Sequence, residues 1–158
     1  VTRMPETPFV PEIPHAELRF DGVLLRDDDL LPGDGYERYV RPFRTVEDLH
    51  INAALAGYLL GEARRSAFPR GWIERLAAVV AALHGLAGED AGSPAVHVAL
   101  AGLLQLHGAL LAELDALWAP GASPAHARWQ RDRVLLGVAE GARTQRLARA
   151  WERLSAPG

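Results

Sequence analysis

The 158-residue sequence predicts an all-α fold: an antiparallel four-helix bundle preceded by an extended, proline-rich arm and a short β remnant. Three observations carry that prediction. Alanine (27) and leucine (24), both strong helix formers, supply 51 of the residues, while the β-branched and aromatic residues that favour strands are sparse. Six of the eleven prolines fall before residue 45, where they forbid a long helix. From residue 45 onward the apolar residues recur with a helical period, interrupted by Pro69, Pro94 and Pro124.

Residues 1–44 read as an arm. Pro5, Pro8, Pro11 and Pro14 repeat every third residue, which suits an extended chain. Ala16 to Leu25 reads as a short strand, because Leu18 and Phe20 alternate with polar neighbours and Asp21-Gly22 can close a hairpin or mark a bulge. Asp27-Asp28-Asp29 is an acidic loop, and Leu31 to Tyr36 is a turn with two glycines. Acids outnumber bases 9 to 6 in this arm.

Residues 45–158 read as the bundle. Thr45 is the expected N-cap of the first helix, with Glu47 and Asp48 in its first turn, and Pro69 ends it near Ala67. A second helix is predicted from about Arg70 to Ala87. Ser93-Pro94 and Ser123-Pro124 each place a capping serine before a proline at the first helical position, opening the third and fourth helices. The fourth is expected to run unbroken to about Leu154, burying Leu135, Val138, Ala142, Leu147, Trp151 and Leu154 and exposing a row of seven arginines. The first and third helices, apolar around most of their circumference, are expected to be the most buried.

Composition excludes several chemistries. The chain has no cysteine, so disulfides and thiolate chemistry are out. All 17 basic residues are arginine, which removes Schiff-base and P-loop lysines. A net charge of −3 argues against nucleic acid. No basic-then-apolar leader opens the chain, and a cytoplasmic location is expected; the start at Val1 suggests a trimmed chain or a fragment. Ala91 to Ala112 lacks Asp, Glu, Lys and Arg, but Ser93, His97, Gln105 and His107 would be costly against lipid, so a buried bundle helix is expected, not a membrane span. Glu47-x-x-His50 is a single copy of a spacing that a di-iron bundle needs twice, so no metal is expected. No Gly-x-Ser-x-Gly elbow is present, and Gly33-x-Gly35 lacks the third glycine of a dinucleotide fingerprint.

Two segments resemble acyl-CoA dehydrogenases. Ala63-Arg64-Arg65-Ser66-Ala67-Phe68-Pro69 is similar to the Arg-x-x-Phe-Gly that ends a long helix of that family's C-terminal domain, with proline in place of the glycine. Arg131 to Gly141, followed by Gln145-Arg146-Leu147, resembles the family's closing segment, with Ala139 and Ala142 where the family has tyrosine and threonine and with the spacing one residue short. Phe20-Asp21-Gly22-Val23 and the Leu30 to Tyr36 turn look like the exit from its middle β-domain.

The resemblance implies FAD as cofactor and an acyl-CoA substrate. Arg65 would reach the flavin pyrophosphate of a neighbouring subunit, and Phe68 would lie beside the flavin. Glu140 would be the base that takes the α-proton of the thioester. The same residues also have plain roles: Arg65 can complement a helix dipole, Phe68 can plug a core, and Glu140 can pair with Arg143 on an exposed helix. The family's N-terminal helical domain and most of its β-domain cannot fit in this length. The chain is therefore expected to be incomplete for catalysis alone, and the nearly all-round apolar first and third helices lead to the expectation of a homo-oligomer; the competing expectations are a non-catalytic helical interaction module and a bundle whose Ala/Leu core holds a cavity for an apolar ligand.

Overall fold

The computed structural model describes residues 1–118, 123–137 and 139–156. The fold is all-α. Two short strands, β1 (Thr2–Arg3) and β2 (Ala16–Glu17), precede five helices: α1 (Arg41–Arg65), α2 (Arg70–Ala87), α3 (Pro94–Leu117), α4 (Pro124–Asp132) and α5 (Glu140–Ser155). The strands pair antiparallel, Thr2 opposite Glu17 and Arg3 opposite Ala16. Helix α2 packs between α1 and α3, and α5 lies along α3.

The predicted strand over Ala16 to Leu25 forms only at its first two residues. Leu18 and Phe20 remain 58% and 76% exposed. Alternation stabilises a strand only when a second layer covers its apolar side, and no described element does so here. The arm is instead held through its proline-rich segment. The Val10 amide donates to Asp132 Oδ1 at 2.8 Å, and Arg131 pairs with Glu12 at 2.9 Å.

The first helix begins earlier than Thr45. A wide π-type turn, Tyr36–Val40, runs directly into α1. Asp34 caps this entry by accepting from the Glu37 amide at 2.8 Å, and Pro42 is tolerated in the first turn of α1. Thr45 is thus an interior residue, buried, with Oγ1 3.3 Å from His97 Nε2. At the other end, Ala67 adopts a left-handed conformation (φ 53°) and the Phe68 amide returns to the Ala63 carbonyl at 3.0 Å. That bond closes a Schellman motif, with Phe68 folding back over Ala63. Ala67 is exposed and glycine suits its backbone better, so Ala67→Gly is expected to raise unfolding free energy by roughly 0.5–1 kcal/mol in urea titrations. A lower midpoint would contradict this account of the turn.

Helix α2 spans its predicted residues and α3 starts at Pro94 after Ser93, as the serine-proline signal indicated. Helix α3 is long and apolar enough to cross a membrane by length and composition. It packs on α2 and α5 and carries the buried imidazole of His107, but only 22% of its apolar window is buried, so it is not the deeply buried helix expected. The core runs through Leu59, Leu76, Leu83, Leu100 and Leu114, with an aromatic cluster at one end. There Phe68 meets Trp72 and Trp118 edge-to-face, each pair with centroids 5.5 Å apart, and Trp72 Nε1 donates to the Leu110 carbonyl at 3.2 Å.

The expected unbroken fourth helix is two helices joined by a 3-10 turn, Arg133–Gly137. This break rotates the following helix, so most of the predicted stripe does not turn inward, although Leu147 is half-buried. Leu135, Trp151 and Leu154 are 37%, 52% and 49% exposed, and Ala142 is exposed too. Val138 lies outside the described residues. What α5 presents inward is Arg143, Arg146 and Ala150, spaced three and four apart on one face.

Candidate functional site

The buried stripe of α1 changes character along its length. Ala56, Leu59 and Ala63 are apolar, whereas Thr45, Asp48 and Asn52, one and two turns apart, are polar and buried. A buried carboxylate needs a cationic partner, and α5 supplies two. Arg143 reaches Asp48 Oδ1 with both Nε (3.0 Å) and Nη2 (2.8 Å), and Arg146 Nη2 takes Oδ2. The third Arg143 nitrogen, Nη1, donates to the Leu136 carbonyl at 2.9 Å. That carbonyl lies in the 3-10 turn, where a continuous helix would have offered it a backbone amide. Arg143 therefore both neutralises Asp48 and ties down the break.

One turn along α1, Asn52 Nδ2 donates to the Asp48 carbonyl at 2.8 Å, and Asn52 Oδ1 lies 3.2 Å from His107 Nδ1 on α3. His107 is 1% exposed, and burial pushes its imidazole down to about 4. Its Nε2 is buried without a hydrogen-bond partner among the described residues. His107 and Asn52 border a cleft of about 520 Å³ whose other walls include Leu104, Leu111, Trp129 and Leu136. At its rim Asp115 accepts from Trp129 Nε1 at 3.1 Å and pairs with Arg133. These contacts hold the Asp115 carboxyl below its usual range despite the opposing effect of burial. Among the described residues no three His, Asp or Glu side chains converge as a metal site.

The residues singled out by sequence lie elsewhere. Arg65 is exposed at the last turn of α1 and donates to Glu62 at 2.7 Å, a bond that raises its already high pKa. Phe68 is buried in the aromatic cluster. Glu140 is exposed at the first position of α5; its carbonyl accepts from Thr144 Oγ1. The expected Glu140–Arg143 pair does not form, because Asp48 takes the guanidinium. Asp48 sits 17 residues before Arg65 on α1, about 25 Å at ~1.5 Å per residue. Glu140, within a turn of Arg143, is therefore remote from Arg65 and Phe68 in one chain. An outward guanidinium at Arg65 fits contact with a pyrophosphate, but a buried Phe68 offers a flavin ring no face. The described residues thus do not bring Arg65, Phe68 and Glu140 together within one chain.

Sequence reasoning passed over Asp48, Asn52, Arg143 and Arg146 as site residues. Their signal was polar residues at i and i+4 within an otherwise apolar helical face, matched by arginines on another helix. Among known proteins, no family model, no curated protein and no solved structure matches this chain.

Proposed function

We propose that the chain is a helical assembly domain, of the kind that forms the C-terminal part of an acyl-CoA dehydrogenase-like flavoprotein, and that it works as a homo-oligomer in the cytoplasm. In this reading α1, α2, α3 and α5 are the four members of an antiparallel bundle. The observation that carries it is the uncovered apolar arm: Phe20, Leu24 and Leu25 are 76%, 92% and 68% exposed, with Leu30 and Leu31 beyond them. So many exposed large apolar side chains in one short segment are characteristic of a surface that meets more protein. FAD is then contacted by Arg65 only within the assembly, and the single chain does not retain it. Glu140 is the base for the α-proton of an acyl thioester in the complete protein, where its open position leaves it free to meet a substrate.

The second reading, a non-catalytic helical interaction module, rests on the same arm and on the separation of Glu140 from Arg65. Light scattering at micromolar concentration tests the self-association of the first reading. A dimer or larger species is expected, and the triple variant Phe20→Ser, Leu24→Ser, Leu25→Ser is expected to run as a monomer. Monomeric wild-type protein would refute the first reading. Titrating FAD into the oligomer separates them: quenching that disappears in Arg65→Ala supports the flavoprotein reading, and no quenching leaves the interaction module. In any active complete form, unchanged turnover in Glu140→Gln would remove Glu140 as the base.

A further inference from the structure

We propose that the cleft between α1, α3, α5 and the 3-10 turn binds a small, uncharged, largely apolar molecule that donates one hydrogen bond, from an O–H or N–H, to His107 Nε2. The polarity of that bond follows from the network behind it. Asn52 Nδ2 donates to the Asp48 carbonyl, which accepts only, so the amide orientation of Asn52 is fixed and its Oδ1 faces His107. Oδ1 can only accept, so His107 Nδ1 carries the ring proton and Nε2 presents a lone pair. That lone pair has no partner among the described residues and no surface open to water, and its ring borders the cleft, so a donor in the cleft reaches it by displacing a wall side chain. Buried acceptors are normally satisfied, and an orphan beside a cavity is a place for a ligand donor.

The rest of the cleft defines the class of molecule. Leu104, Leu111, Leu136 and Trp129 give apolar walls. The charges at its edge are already engaged, Arg133 with Asp115 and Arg143 with Asp48, so nothing there selects an ion. The volume, about 520 Å³, falls in the range of small-molecule sites and accommodates a bicyclic aromatic. Gly108 also lines the cleft, and a Cβ built there would meet nothing within 4 Å, so this glycine keeps space open without being required by the backbone. The inference stands independently of the assembly reading, because every residue it uses lies within one chain.

Indole and indene test it. They share size and shape, but only indole donates. Calorimetric titration of the full chain is expected to show indole binding about three- to tenfold tighter than indene, the worth of one hydrogen bond. Amide shifts should concentrate on residues 104–112. In His107→Leu the preference should vanish or reverse. Gly108→Leu, which fills the cleft and replaces a helix-interior glycine with a better helix former, should keep the fold and abolish binding of both. The proposal is overturned if indole does not bind, if the wild type does not prefer indole, if that preference survives in His107→Leu, or if binding survives in Gly108→Leu. Should His107→Leu fail to fold, the wild-type pair and Gly108→Leu still decide.

Discussion

Asp48→Ala is expected to lower the unfolding free energy by about 3–5 kcal/mol, a large share of the ~5–15 kcal/mol typical of a domain. The carboxylate is 5% exposed and is the common partner of two guanidinium groups whose side chains are only 22% and 15% exposed. Its removal strands two cations in a space with little water. It also frees Arg143, the side chain that holds the Leu136 carbonyl, so the turn before α5 loosens at the same time. The pair need not be better than an apolar contact for this to hold, since removing one partner of a buried pair costs far more than replacing the whole set. The triple variant Asp48→Leu, Arg143→Leu, Arg146→Met should accordingly recover much of the loss. Urea denaturation checks both, and a loss under ~1 kcal/mol in Asp48→Ala would show that the arginines find water instead.

Acidification should weaken the fold by about 3 kcal/mol through His107 alone. The imidazole titrates near 6.5 when free and at about 4 when folded, because burial opposes its charged form. Below 6.5 the unfolded chain therefore takes a proton that the folded chain refuses. The penalty is absent above 6.5, grows as pH falls toward 4, and levels off below it, with a limit near 3 kcal/mol at ~1.4 kcal/mol per pH unit. His97, also lowered by burial, acts in the same direction. Stability measured between pH 7 and 4 should fall steeply in the wild type and less steeply in His107→Leu. Equal slopes in the two proteins would place the acid sensitivity elsewhere.

The parts of the fold that sequence reasoning reached are those written in local chemistry. The limits of α2 follow from Pro69 and the glycines after Ala87, and the start of α3 from Ser93-Pro94. The start of α1 is not legible locally, because Thr45 has the chemistry of a cap, yet its hydroxyl meets His97, 52 residues away. The break in the fourth helix was invisible for a related reason. Nothing in Arg133 to Gly137 forbids a helix strongly, and the turn is held by a guanidinium that Asp48 has drawn inward from α5. The apolar period of the sequence therefore runs on through a point where a distant carboxylate resets which side faces in. The candidate site was hidden likewise, since Asn52 and His107 look like isolated polar residues until α1 and α3 bring them together.

The short turn from Arg133 to Gly137 has a further consequence for how this chain can vary. Surface connections usually absorb insertions at little entropic expense. Here each residue gained or lost would change the azimuth of α5 by about 100° and carry Arg143 and Arg146 away from Asp48. The connection behaves as a fixed spacer whose length is set by the angle it must deliver, and it should resist length change more than the acidic stretch around Asp28.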